Sequence, residues 1–313
     1  MPSVLHQQRI QRTAAHLAPQ TTRRHRRKRQ RSGRTRGPVP ALTDLPQLLR
    51  LATRYSTLTL HQAAHACWGG WIEAARRRVR LMVEAGLLHR SADVRWARTV
   101  VWTTERGARI ADTGLSAPRP PGERLLHRLA VADAGIRLEA NGHTVLSERE
   151  VHVAEAVPGR AVELLDALRV PRVPGVPADA RRGETLAVPV GAHSVHWPDL
   201  VVVEPTPRFP IAVEVELTAK SPASIRNILR AYRQSQRRVL YMATEPVVRQ
   251  LQGSPGPDGR WTDGIAQELG LLPPGEPRPG AGRHLGVQPF TSVDPAVTRR
   301  ASATLTRSPQ KAA

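Results

Sequence analysis

Three acidic side chains and one lysine stand out by type and spacing. Asp199 follows Trp197-Pro198 and opens the apolar run Leu200-Val201-Val202-Val203. Glu214 and Glu216 alternate with Val213, Val215 and Leu217, and Lys220 lies four residues beyond Glu216. Side chains of a strand alternate between faces, so Glu214 and Glu216 share one face and the aliphatic residues take the other. Carboxylates gathered on such a face, flanked by buried valines, are costly unless solvent, a cation or a base neutralises them. A divalent ion held by Asp199 and Glu214 is one answer, and an oxygen-donor site that keeps several waters suits Mg2+. Lys220 is one of only three lysines, with Lys28 and Lys311, in a chain otherwise rich in arginine. A compact ammonium can orient a water or meet charge at phosphorus where a planar guanidinium cannot. Asp199, Glu214, Glu216 and Lys220 are therefore the catalytic candidates; the plainer reading is a half-exposed sheet face of solvated acids.

The elements that must position these residues follow from periodicity. Glu123 to Ala140 fits an amphipathic helix through Leu125, Leu126, Leu129, Ala132 and Ile136. Thr144 to Val153 reads as extended, and 157–183 as a long Pro/Gly-rich surface loop. Asp199 to Val203 and Ile211 to Leu217 are strand-like. Ser221 opens a helix with Ile225, Ile228, Leu229 and Tyr232 at i, i+3, i+4 and i+7, and Val239 to Thr244 reads as a last buried strand. Helix, three strands, helix, strand is the order of a restriction-endonuclease-like core.

A different pattern precedes it. Leu45, Leu48, Leu49 and Ala52 recur at helical spacing after Thr43, a second helix fits Leu60 to Trp68, and a third fits Trp71 to Ala85. That third helix has Ile72, Ala75, Val79, Met82 and Val83 on its apolar face, with Arg77 and Arg80 away from it. Val94 to Thr103 then suits a two-stranded ribbon bearing Arg95 and Arg98. Three helices and a hairpin make the winged helix-turn-helix order, in which the third helix offers donors to a DNA groove. A solvated basic face is the plainer reading of these arginines, and winged helices also serve as protein-interaction modules.

Charge agrees with a nucleic-acid partner. The 313 residues hold 47 Lys+Arg against 26 Asp+Glu, a net charge of +21. Arg23 to Arg36 places nine Lys/Arg in fourteen positions with no apolar side chain, so a flexible arm including Arg26, Arg27, Lys28 and Arg29 is expected to lie along phosphates. No apolar run approaches a membrane span, and no apolar core follows the N-terminal charges as in a secretory signal. With the single Cys67 this points to a soluble cytoplasmic protein of a bacterium with a GC-rich genome, associated with nucleoid or plasmid. The expected organisation is a disordered basic arm at 1–41, a winged-helix domain at 42–115, a linker at 116–122, a nuclease-like α/β domain at 123–252 and a largely disordered Pro/Gly-rich tail at 253–313. The fold class is α+β. His61 with His65, and His193 with His196, lack further ligands at zinc spacing and read as structural or solvent-facing. There is no Walker-type phosphate loop for an ATP-driven motor.

Pro198-Asp199 followed by Glu214-Val215-Glu216 resembles the PD-(D/E)XK nuclease signature, with Glu216 where that pattern has lysine. Taken with His127-Arg128-Leu129-Ala130-Val131-Ala132-Asp133 and Ile228-Leu229-Arg230-Ala231-Tyr232, residues 42–250 resemble the replication-relaxation family of bacterial plasmids and integrative elements, actinobacterial ones among them. The resemblance implies a winged-helix reader of double-stranded DNA joined to a nuclease-like domain, acting in replication or maintenance of a mobile element. Mg2+-dependent nicking or cleavage is one expectation. A non-catalytic regulator whose nuclease-like domain is only a clamp is the other, and the oligomeric state stays open to a homodimer.

Overall fold

A computed structural model describes residues 44–303 apart from 94–97, 172–175, 177–179, 182, 192–193, 204–208, 277–281 and 283. The chain is mixed α+β and divides into two compact units that meet in sequence at Gly122/Glu123.

The first unit begins with α1 (Asp44–Arg54), whose Leu45, Leu48, Leu49 and Ala52 are buried. A two-residue strand β1 (Leu58–Thr59) leads into α2 (Leu60–Trp68), which a reciprocal cap between Thr59 and Gln62 starts and Gly69 ends at φ +57°. Helix α3 (Ile72–Glu84) follows, then the antiparallel hairpin β2 (Leu88–Asp93) and β3 (Arg98–Thr103), with β1 on the free edge of β3. Helix α4 (Glu105–Ala111) is capped by Thr104, and its Gly107 is obligatory: a Cβ there would lie 2.0 Å from the Leu87 carbonyl oxygen. Three helices and then a hairpin follow one another as the periodicity predicts, but the hairpin begins at Leu88 rather than at Val94, the start of the expected ribbon. The buried stripe of α3 is rotated, however, and runs through Ala74, Ala75, Arg78, Val79 and Met82 rather than through Ile72 and Val83. The small alanines bring the backbone close to its neighbours, and the bulkier Ile72 and Val83 sit at the margin.

The second unit opens with α5 (Leu125–Ala140), followed by β4 (Thr144–Ser147), α6 (Glu148–Ala154) and α7 (Arg160–Ala167). A small antiparallel hairpin comes next, β5 (Val188–Val190) with β6 (Ser194–His196), then β7 (Leu200–Val203) and β8 (Ile211–Glu216). Helix α8 (Pro222–Gln234), strand β9 (Arg238–Ala243) and helix α9 (Glu245–Gln252) follow. The chain then continues through β10 (Ser254–Pro255), β11 (Trp261–Thr262), α10 (Ile265–Glu268), β12 (Leu285–Pro289) and α11 (Pro295–Ala303).

One five-stranded sheet organises this unit, in the order β12-β9-β8-β7-β4. Strands β8, β9 and β12 run parallel, whereas β7 pairs antiparallel with both β8 and β4. Helix α8 lies over β8 and β9 through Ile225, Ile228, Leu229 and Tyr232, packed with Ala212, Val239, Tyr241 and Ala243. A second cluster joins Leu146, Val151, Leu165, Val201 and Val203, fastening α6 and α7 to β4 and β7.

Three expectations are corrected here. The stretch expected to be extended to Val153 turns helical at Glu148, because Ser147 and Glu150 form a capping box in which the Ser147 N–H donates to Glu150 Oε2 at 2.8 Å. The expected long loop contains α7. The expected tail carries regular elements among its described residues up to Ala303: β12 extends the main sheet, and the segment after it is tied to α5 by Arg137, which donates to the Thr291 carbonyl at 2.9 Å, and by a Ser292 to Asp133 hydrogen bond. Proline and glycine there punctuate short elements rather than prevent them. The expected basic arm, with Arg26, Arg27, Lys28 and Arg29, lies outside the described residues, as does Arg95; the side chain of Arg98 does too.

Candidate functional site

The antiparallel register of β7 and β8 pairs Leu200 with Val213, which sets Asp199, one residue earlier, across from Glu214. Glu216 follows two residues on along the same face. The sheet thus brings the three acids together: alternation along β8 aligns Glu214 with Glu216, and the register of β7 adds Asp199. Glu214 and Glu216 are buried, at 4% and 8% exposure.

Each acid has a basic partner. Asp199 Oδ1 lies 2.9 Å from Nε2 of His127 on α5, and its Oδ2 accepts the Val215 N–H at 2.8 Å. The Asp199 carbonyl accepts the Glu148 N–H at 3.0 Å, which seats the start of α6 beside it. Glu214 Oε1 lies 2.8 Å from His196 Nε2 and accepts the Tyr232 hydroxyl at 2.5 Å. Glu216 forms an ion pair with Lys220. Lys220 is held in turn where its carbonyl accepts from Gln250, just before the Ser221 cap of α8. Histidine, histidine and lysine answer the charge of three carboxylates.

The electrostatics follow from this pairing. Burial pushes the Glu214 carboxyl above its ordinary value; His196 and the Tyr232 hydrogen bond pull against that, and the Asp199 charge adds to it. Burial works against the charged ring of His127, but its bond to Asp199 and the further charges of Glu216 and Glu148 outweigh it, so its pKa is raised. His196 is raised by the same balance of burial against Glu214. Lys220, although partly buried, is raised by Glu216, Glu214 and Asp199. Tyr232 is pushed well above the usual phenol range, first by burial and then by Glu214, so it stays a neutral donor.

The donor set bears on the expected cation. Mg2+ is commonly held by one or two carboxylates, with waters and substrate phosphate completing the shell. Asp199 and Glu214 supply facing oxygen donors of that kind, so the residues fit such an ion. It would compete with His127 and His196 for Asp199 Oδ1 and Glu214 Oε1. Among the described residues there is no group of three or more His, Cys, Asp or Glu arranged to hold a metal.

Of the expected site residues, Asp199, Glu214, Glu216 and Lys220 converge. Arg77 and Arg80 are exposed on α3, in the first unit, with Arg76 beside them paired to Glu73. Asp133, an alternative acid on the same helix as His127, is buried against Ser292 and does not join the cluster. Sequence reasoning missed the roles of His127 and Tyr232 and placed His196 among structural or solvent-facing histidines. The signal that could have found them is the need for counter-charge: three acids on one buried face demand bases, and His196 ends a segment three residues before Asp199.

Comparison with family models, with curated proteins and with solved structures returned no match.

Proposed function

We propose that this chain is a DNA-binding protein of the replication-relaxation type. Its first unit is read as a winged helix that places α3 against duplex DNA, and its second as a PD-(D/E)XK nuclease-like domain acting on the bound strand. The single observation that carries this reading is the convergence of Asp199, Glu214, Glu216 and Lys220 at one end of the adjacent strands β7 and β8, which α8 and β9 follow. Supporting it are the net charge of +21 and the exposed Arg77 and Arg80 on the third helix of the first unit. The setting would be plasmid or mobile-element replication or maintenance in the bacterial cytoplasm. A homodimer is compatible with it. No helix among the described residues is long and apolar enough to cross a membrane.

In the catalytic form of the proposal, Asp199 and Glu214 hold Mg2+, which when bound neutralises phosphate charge and acidifies a water. The chain's own residues do the rest. Tyr232 and His196 fix the Glu214 carboxylate, the Val215 N–H and His127 fix Asp199, and Lys220 places an ammonium beside Glu216. One observation favours the second reading, a non-catalytic regulator: all three acids already have internal basic partners. The test is nicking of supercoiled plasmid with and without Mg2+, beside a gel shift. The first reading expects Mg2+-dependent nicking that Asp199→Ala and Glu214→Ala remove while the shift persists. The regulator reading expects a shift without nicking, lost on Arg77→Gln/Arg80→Gln.

A further inference from the structure

The packing of α3 sorts its residues by face. Ala74, Ala75, Arg78, Val79 and Met82 are buried, so Glu73, Arg76, Arg77 and Arg80 share the exposed side at i, i+3, i+4 and i+7. The three arginines differ in how they are held. Arg77 and Arg80 make no ion pair or hydrogen bond among the described residues. Arg76 is tied down: its Nη1 donates to Glu73 Oε1, one turn back. The Arg76 side chain is 53% exposed and that of Glu73 64%, and a helix-surface pair so open to solvent does little for stability. What the pair fixes is direction. With Nη1 taken, the guanidinium keeps its Nε–Nη2 edge free, and that edge carries two parallel N–H donors. Two such donors match O6 and N7 of guanine in the major groove. Arg76 lies in the first half of α3, and the N-terminal residues of a helix laid in the groove are the ones that reach base edges. Glu73 adds a second argument. A carboxylate on a face turned to phosphates weakens every complex alike, so what it contributes lies in the difference between sequences.

We propose that Arg76, aimed by Glu73, reads a guanine edge in the major groove, while the loose Arg77 and Arg80 hold the flanking phosphates. This rests on the DNA-binding reading and deepens it: the duplex that the first unit holds carries a preferred site, with guanine at one fixed place. Arg76 touches the base, and Glu73 is a positioning residue. A guanidinium already held in place gives up less freedom on binding than a loose one, which suits it to reading, whereas phosphate contacts position a duplex without reading it.

The test enriches duplexes bound by the full chain from a library with a randomised centre, then measures anisotropy of the enriched duplex and of copies with single G·C to A·T changes. One such change is expected to weaken wild-type binding by about 5- to 150-fold. Arg76→Ala is expected to abolish that preference with little change in salt dependence. Arg76→Lys, which keeps the charge but not the paired donors, is expected to lose the preference as well, and serves if the alanine variant fails to fold. Arg77→Gln and Arg80→Gln, made singly, are each expected to weaken all duplexes alike and to lower the slope of log affinity on log salt by about 1, with the preference kept. Glu73→Gln is expected to keep or raise affinity for every duplex while shrinking the guanine preference. A preference that survives in Arg76→Ala and Arg76→Lys, or a wild-type chain that binds duplex yet enriches no guanine position, overturns the proposal and leaves the DNA reading standing. An intact preference in Glu73→Gln overturns the positioning role of Glu73. A wild-type chain that binds no duplex at low salt overturns both readings.

Discussion

Replacing Tyr232 with phenylalanine isolates one bond of the acid cluster. Tyr232 is 1% exposed, and its hydroxyl donates to Glu214 Oε1 at 2.5 Å. Phenylalanine keeps the ring, so the packing of α8 over β8 and β9 survives and no large cavity opens. What is lost is a hydrogen bond to a charged acceptor, worth about 1.5–3 kcal/mol. Glu214 is 4% exposed, so water does not readily take the donor's place. For a unit of this size about 2 kcal/mol corresponds to a fall of roughly 4–8 °C in the melting temperature. Tyr232 is itself neutral throughout the accessible pH range, so the loss depends on Glu214 alone: it is largest when Glu214 is ionised and shrinks as the pH falls through the raised Glu214 value. Thermal unfolding of wild type and Tyr232→Phe, followed by circular dichroism at neutral and acid pH, measures both the size and the pH trend. Equal melting temperatures at neutral pH would refute the claim that Tyr232 holds a charged Glu214.

His127 and His196 have folded-state pKa values above the ordinary 6.5, so the stability they add is fully present below pH 6.5 and is lost as pH rises through the raised values; melting curves across the neutral range should fall with pH, and His127→Gln/His196→Gln should flatten that fall. Glu155→Ala removes a buried carboxylate that accepts the N–H groups of Gly183, Thr185, Leu186 and Ala187, and should destabilise the chain by about 3–5 kcal/mol in urea titration, against little change for the exposed Glu163→Ala. Arg77→Gln/Arg80→Gln should lower the salt slope of duplex binding by about 2 without moving the melting temperature, because both side chains are exposed on α3.

Strands β7 and β8 and helix α8 were legible because their apolar periods are clean and their ends are marked by Pro198, Ser221 and Pro222. The shared face of Glu214 and Glu216 was legible from alternation alone, whereas Asp199 is set across from Glu214 by the register of β7 on β8. Helix α6 is only seven residues long and was hidden by an alternating Val145, Ser147, Val151, Val153 pattern; its Ser147-x-x-Glu150 cap was the better signal. Strand β12 was hidden because it is held by pairing with β9, a partner that lies over forty residues back and that no local pattern announces. The histidines were hidden for the same reason: His127 and Asp199 are 72 residues apart, and only the packing of α5 joins them.

The central claim is that this is a DNA-binding protein whose acid cluster acts on the strand it holds. The most direct measurement is nicking of supercoiled plasmid by wild type and Asp199→Ala, with and without Mg2+, with a gel shift on the same samples. The account predicts equal shifts for both proteins and Mg2+-dependent nicking by wild type only. Equal nicking by both proteins, or a wild-type chain that fails to shift the plasmid at low salt, would contradict it.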